Sequence, residues 1–293
     1  MAERFELACR LFPHLSIRFF AGAVVGLAVL AGDHSVAAVR AAVGDGSSAF
    51  EERLRMEEKL KELIERLETA AVSNLKTVVL YGSAVTPEFV AQHSDLNVLC
   101  LVERAGAPEL EALHGVADWW MRAGNPAPLV FTLDELHRSA DVFAIELLDM
   151  KMHHRILLGE DFLAAFEVPM AFHRLQLERE LRTVWLRLRQ TILAAPQKRK
   201  DHLGIMLASV STFCALFRHA LFALGQPMPE TKRQAVDALA SLTGADPSAF
   251  HAILELREGK RKESQMDVEA TLHTYHEFVE IVTNEVDRRL EAH

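Results

Sequence analysis

Two pairs of residues in the first third of the chain have the types and spacing that phosphate chemistry uses. Gly82-Ser83 follows directly on Thr77-Val78-Val79-Leu80-Tyr81, a β-branched and aromatic run that reads as a strand entering a tight turn. At such a turn the glycine lets backbone N–H groups approach a phosphate closely, and the serine hydroxyl adds a donor. Asp95 and Asn97 stand two apart in Ser94–Val102, a largely apolar run that reads as a second strand. Side chains at i and i+2 of a strand share a face, which is how neighbouring oxygen ligands come to share Mg²⁺.

Taken in order, Leu80-Tyr81-Gly82-Ser83 and Ser94-Asp95-Leu96-Asn97-Val98-Leu99 resemble the nucleotidyltransferase signature of the DNA-polymerase-beta-like superfamily. Among its members, aminoglycoside adenylyltransferases and minimal nucleotidyltransferases share the pattern best. The resemblance covers mainly residues 77 to 102, and more weakly residues 129 to 159. It implies transfer of a nucleoside monophosphate from a triphosphate to a hydroxyl or similar acceptor, with two Mg²⁺ ions clamping the attacking and leaving oxygens. Gly82 and Ser83 would hold the triphosphate, and Asp95 would ligate metal.

The family pattern asks for a second carboxylate where this chain has Asn97. An amide oxygen coordinates Mg²⁺ but brings no charge and cannot bridge two ions. A third carboxylate is expected on a later strand, yet Leu129–Thr132 contains no acid. The nearest substitute is Glu146, inside the apolar run Val142–Leu148, which reaches the site if that run is a strand. The other reading makes Glu146 a solvated or helix-terminal residue. Two functions therefore stay open. One is a nucleoside-triphosphate-binding protein with weak or degenerate transfer to a small-molecule acceptor, and the other is a catalytically silent regulatory or interaction module that keeps the cleft.

The elements that must position these residues follow from hydrophobic period. Phe50–Ala71 repeats Leu and Ile64 at helical spacing, with charges opposite. Pro108–Gly124 reads as a helix, Leu129–Thr132 as a third strand, and Val142–Leu148 as either a fourth strand or the start of a helix ending near Gly159. Beyond Pro169 every element reads as helical: Phe172–Ala195, His202–Gly225, Thr231–Thr243, Pro247–Glu258 and Asp267 to the end, separated by Gly225, Pro227, Gly244 and Pro247. The expected fold class is α+β, a mixed sheet flanked by helices and followed by an all-helical C-terminal domain. The expected divisions are an N-terminal extension over 1–48, with Gly44–Ser48 as linker, a nucleotidyltransferase-like domain over 49–170 and a helical domain over 171–293. The helical domain would serve the substrate side of the cleft or homodimer formation.

Several features bound the function further. The 32 basic and 41 acidic residues leave a net charge of −9, so no chain-wide basic field exists to attract nucleic acid. A nucleotide, with a small-molecule or protein acceptor, is the expected partner. Cys9, Cys100 and Cys214 lack metal-ligand spacing and are odd in number, which points to the cytoplasm. Phe19–Gly32 is continuously apolar or glycine, but falls short of the ~20 residues that span a bilayer. A secretory leader, a docked helix and an extension outside the functional domain all fit it. His153-His154-Arg155, beside Asp149 and Lys151, could contact phosphate at a pocket mouth or form a polar helix face. His273 and His276 have the spacing of a metal pair without a third ligand, and Gln197-Lys198-Arg199-Lys200 reads as a solvated basic connection. Of the adjacent Trp119 and Trp120, one should face the core.

Overall fold

The computed structural model describes residues 46–86, 95–196 and 198–291. The apolar segment Phe19–Gly32, Cys9, the connection 87–94 after the Gly-Ser turn, and Gln197 of the basic run lie outside the described residues. Helix α1 (Gly46–Ala71) begins inside the expected Gly44–Ser48 linker, consistent with the tolerance of helix starts for Gly and Ser. Leu60, Leu63 and Leu67 repeat at i, i+3 and i+7 and are fully buried, so the period read from the sequence is the face that packs on the sheet.

Strands β1 (Leu75–Tyr81), β2 (Asn97–Val102), β3 (Leu129–Thr132) and β4 (His154–Leu158) form one sheet in the order β3-β2-β1-β4. It is mixed: β1 runs antiparallel to both β2 and β4, whereas β2 and β3 are parallel. Helix α2 (Ala107–Arg122) supplies the crossover that a parallel pair needs. Alternation along β1 and β2 then divides the core. Val78, Leu80, Val98 and Cys100 pack under α1 and α2 with Trp120, while Val79, Tyr81 and Leu99 face the opposite side. On that side lie α3 (Leu133–Arg138) and α4 (Ala144–Met152), contributing Leu136, Leu147 and Met150.

Two readings of the segment after β3 need correction. Val142–Leu148 is not a strand, and the helix that includes it stops at Met152 rather than near Gly159. His154–Leu158 is itself a strand, so His154 and Arg155 do not lie on a polar helix face. Pairing with the buried strand β1 decides the matter, because local periodicity cannot register a partner so distant in sequence. Arg155 is further tied to α1 by a two-pronged ion pair with Glu57, at 2.6 and 3.1 Å.

The second half consists of α5 (Met170–Ala194), α6 (Arg199–Ala223), α7 (Lys232–Thr243), α8 (Ser248–Arg257) and α9 (Val268–Glu291), with no strand among its described residues. Phe213, Phe217, Phe250, Tyr275 and Phe278 form an aromatic centre in which Phe250 stacks on Tyr275 at 4.2 Å. Among the described residues α6 is long and apolar enough to cross a membrane, but 67% of its apolar stretch is buried inside the protein. Its hydropathy is that of a core helix packed by α5, α7 and α9. The helical core also takes in Ile145 of α4, so a helix that precedes the expected boundary at residue 170 packs into both halves.

Candidate functional site

The two motifs lie at one end of the sheet, where Gly82 and Asn97 come together. β1 ends at Tyr81, whose register partner on β2 is Asn97. Gly82 then takes φ +79°, a left-handed conformation that a side chain would strain, and opens the short turn Gly82–Val85. The turn is closed by Thr86, whose backbone N–H and hydroxyl both donate to the Ser83 carbonyl, at 3.2 and 3.0 Å. A Cβ on Gly82 would stand 3.2 Å from Asn97 Nδ2, so turn and strand touch through that amide. Asp95 precedes β2 and is exposed, and its partial loss of water raises its carboxyl above the ordinary value.

Asn97 is only 4% exposed, and its Nδ2 has no hydrogen-bond partner among the described residues. A buried NH₂ left without an acceptor is costly, by about 1–3 kcal/mol, so it is an uncommon thing for a fold to keep. The entry to β2 is held from α2: Leu96 N–H donates to Asn125 Oδ1 at 3.3 Å, and Asn125 Nδ2 donates to the Trp120 carbonyl at 3.4 Å. Nothing in the sequence pattern marks Asn125 for this role. Trp120 is wholly buried, and Trp119 lies under the Arg66 guanidinium at 4.5 Å, so both indoles have packing duties.

Glu146 belongs elsewhere. It lies in the first turn of α4 rather than on a strand, and it is buried rather than solvated. Leu147 and Met150 turn toward the sheet, which leaves Glu146 and Asp149 on the side facing α5 and α6. The Glu146 carboxylate accepts a 2.7 Å hydrogen bond from Gln176 Nε2, while Gln176 Oε1 accepts from the Ile145 backbone N–H at 2.9 Å. Glu146 Oε1 has no partner, and burial pushes the carboxyl up to about 7 against the pull of the Gln176 hydrogen bond. It is a junction residue, and neither of the bonds its segment makes, to Gln176, leads to Asp95 or Asn97.

The same junction gathers Asp149, His153, His173, Arg218 and His219. Asp149 lies 3.4 Å from His219 Nε2, 3.9 Å from His153 and 4.0 Å from Arg218. Burial alone would raise its carboxyl, yet the hydrogen bond and charge of His219, with Arg218 and His153 beside it, hold it at about 2. His173 Nε2 and His219 Nδ1 are 3.0 Å apart, and burial followed by the His219 charge depresses His173 to about 3. His219 thus stands between the two, with Nδ1 toward His173 Nε2 and Nε2 toward the Asp149 carboxylate. The side chains of the His153–Arg155 region, read as either a phosphate contact or a polar helix face, make contacts within the fold. Lys151 donates to the Phe166 carbonyl at 2.6 Å, and His154 lies 3.1 Å from Asp161. His276 faces Glu280 at 3.9 Å.

The donor set does not suit a pair of Mg²⁺ ions. Two-metal sites need carboxylates to bridge and neutralise the ions, whereas among the described residues the two motifs bring one exposed carboxylate, Asp95, and a buried amide. Among the described residues no group of three or more His, Cys, Asp or Glu could hold a metal. A cleft of about 640 Å³ opens in the helical half, lined by Leu221, Pro229, Gln234 and Leu242 among others, and takes no residue from the sheet.

No family model matches this chain, and no curated protein matches it. Solved structures do. One is a spectinomycin adenyltransferase, AAD(9), from Enterococcus faecialis, crystallised with ATP and spectinomycin. It is 14% identical, with a TM-score of 0.47, and the match covers 76% of this chain and 99% of that one.

Proposed function

We propose that the chain binds a nucleoside triphosphate between the Gly82–Ser83 turn and the start of β2, and transfers its nucleoside monophosphate only slowly to a small-molecule acceptor. The observation that carries this reading is the meeting of Gly82, at φ +79°, with the buried amide of Asn97, at the strand ends where the two nucleotidyltransferase-like motifs run together. The turn offers backbone N–H groups and the Ser83 hydroxyl to phosphate oxygens. In transfer, an acceptor oxygen would form a bond to the α-phosphorus, the bond from that phosphorus to the bridging oxygen would break, and pyrophosphate would leave. Asp95, with its raised carboxyl, is the motif group able to take the acceptor's proton. With few charges to gather around the leaving group, the reaction is slow.

The test is equilibrium binding of ATP and the other nucleoside triphosphates to the full chain, together with pyrophosphate release in the presence of hydroxylated and aminated acceptors. Saturable binding with slow, acceptor-dependent release is expected. Binding without release would make the chain a silent nucleotide-binding module, and absence of binding would end the reading. Gly82→Val supplies the site control. A β-branched residue at this φ costs more than the about 1–2 kcal/mol of an unbranched one, so the variant is first checked for folding by its unfolding curve, and its methyl groups would fill the approach beside Asn97. Nucleotide affinity should vanish while the unfolding transition stays cooperative. Unchanged affinity in the folded variant would remove the turn from the site.

A further inference from the structure

We infer that this site holds the phosphates of its nucleotide without a divalent metal, with the Asn97 amide hydrogen-bonding directly to a phosphate oxygen; the inference rests on the nucleotide-binding reading above. Asn97 Nδ2 is a donor, enclosed by the protein, without an acceptor among the described residues, and set against the turn where backbone N–H groups are also available. A metal-dependent site is built from the opposite kind of group, anionic oxygens that attract a cation, which in turn attracts phosphate. Here the residue aimed at the turn can itself satisfy an anion. A bound phosphate oxygen would supply the acceptor that the fold omits, so the unpaired amide of the free protein becomes paired in the complex. Asp95, the remaining carboxylate of the motif, is exposed, and among the described residues no group of three or more His, Cys, Asp or Glu stands ready to hold an ion.

Binding is measured calorimetrically on the full chain with ATP, first in EDTA and then in excess Mg²⁺, with inorganic tripolyphosphate as a competitor in both. The affinity in EDTA should lie within about threefold of that in Mg²⁺, and tripolyphosphate should displace ATP in EDTA. Binding that requires Mg²⁺ would overturn the inference and leave the proposed function standing. Absence of ATP binding under both conditions would instead overturn the proposed function, and this inference with it. Failure of tripolyphosphate to compete would show that the phosphates are not what the site holds, which also overturns the inference. Asn97→Asp, checked for folding by its unfolding curve, should lose about tenfold or more in EDTA because an anion then faces the phosphates, and should recover in Mg²⁺. Should that variant not fold, Asn97→Ala removes the donor without adding charge and should lose about tenfold in EDTA. A folded variant of either kind that keeps the metal-free affinity refutes the role of Asn97.

Discussion

Gly159→Ala should lower the unfolding free energy by about 3 kcal/mol or more, enough to unfold much of the population of a marginally stable chain. Gly159 follows β4 at φ +82°, and a Cβ there would sit 2.1 Å from the Lys76 carbonyl oxygen, 2.8 Å from Thr77 Oγ1 and 3.0 Å from Thr77 Cα. The nearest obstacles are the backbone and β-branched side chain of β1, the buried strand that pairs with both β2 and β4, so they cannot swing aside as a flexible side-chain tip would. The crossing is pinned once more by the Thr77 hydroxyl, which donates to the Glu160 carbonyl at 3.2 Å. Gly124 provides the comparison: its φ is +89°, but a Cβ there meets nothing within 4 Å, so Gly124→Ala should carry only the backbone cost of about 1–2 kcal/mol. Denaturant unfolding of the two variants measures the difference. Equal losses would mean that the close approach to Lys76 contributes nothing.

Glu146→Gln is expected to stabilise the protein at alkaline pH, by an amount on the order of 3 kcal/mol above pH 8. The sign follows from the direction of the shift. Burial raises the folded-state carboxyl from an ordinary 4.5 to about 7, so the folded chain favours the protonated form. Any advantage of keeping that proton is full below pH 4.5 and is lost as pH rises through 7, where folding must hold a buried charge whose Oε1 has no partner. Glutamine imitates the protonated acid at every pH. The gap between variant and wild type should therefore open between pH 4.5 and 7 and close below it. His173 works in the other direction: its folded value near 3 means that stability is lost as pH falls below about 6.5. Urea unfolding at pH 4.5 and at pH 8 separates the two. A gap that does not change with pH would show that Glu146 titrates as it would in water.

The elements most visible in the sequence are those whose signals are local. Leu60, Leu63 and Leu67 announce the buried face of α1, whereas the short helix α3, started by the reciprocal Thr132–Glu135 hydrogen bonds at 3.2 and 2.9 Å, was not read from the sequence. Strand β2 begins at Asn97 and leaves Asp95 outside the strand face expected to carry both, whereas the Gly-Ser turn was legible, because positive φ is a property of a few adjacent residues. That Asn97 is buried and unpaired while Asp95 is exposed was not, since both depend on what packs over the start of β2. Strand β4 was hidden for a related reason: His154–Leu158 becomes a strand only because β1 offers it an open edge. The junction was invisible, as Asp149, His173 and His219 carry no spacing rule and meet only through the packing of α4 on α5 and α6.

Ile145 bears on how freely such a protein can be rebuilt from parts. Its side chain belongs to the helical core although its helix is cut from the sheet half of the chain, and the neighbouring residue is bound to Gln176 of α5. A swap that joins residues 1–169 to a foreign helical domain would strand an apolar side chain, a buried carboxyl and the backbone N–H of Ile145 in one stroke. The crossover that preserves all three lies before α4, near Ser139–Phe143, so that α4 travels with the helices it packs against. That transfer would in turn remove Leu147 and Met150 from the face of the sheet. Neither cut is clean, and the halves of this chain can diverge in sequence only as a matched pair.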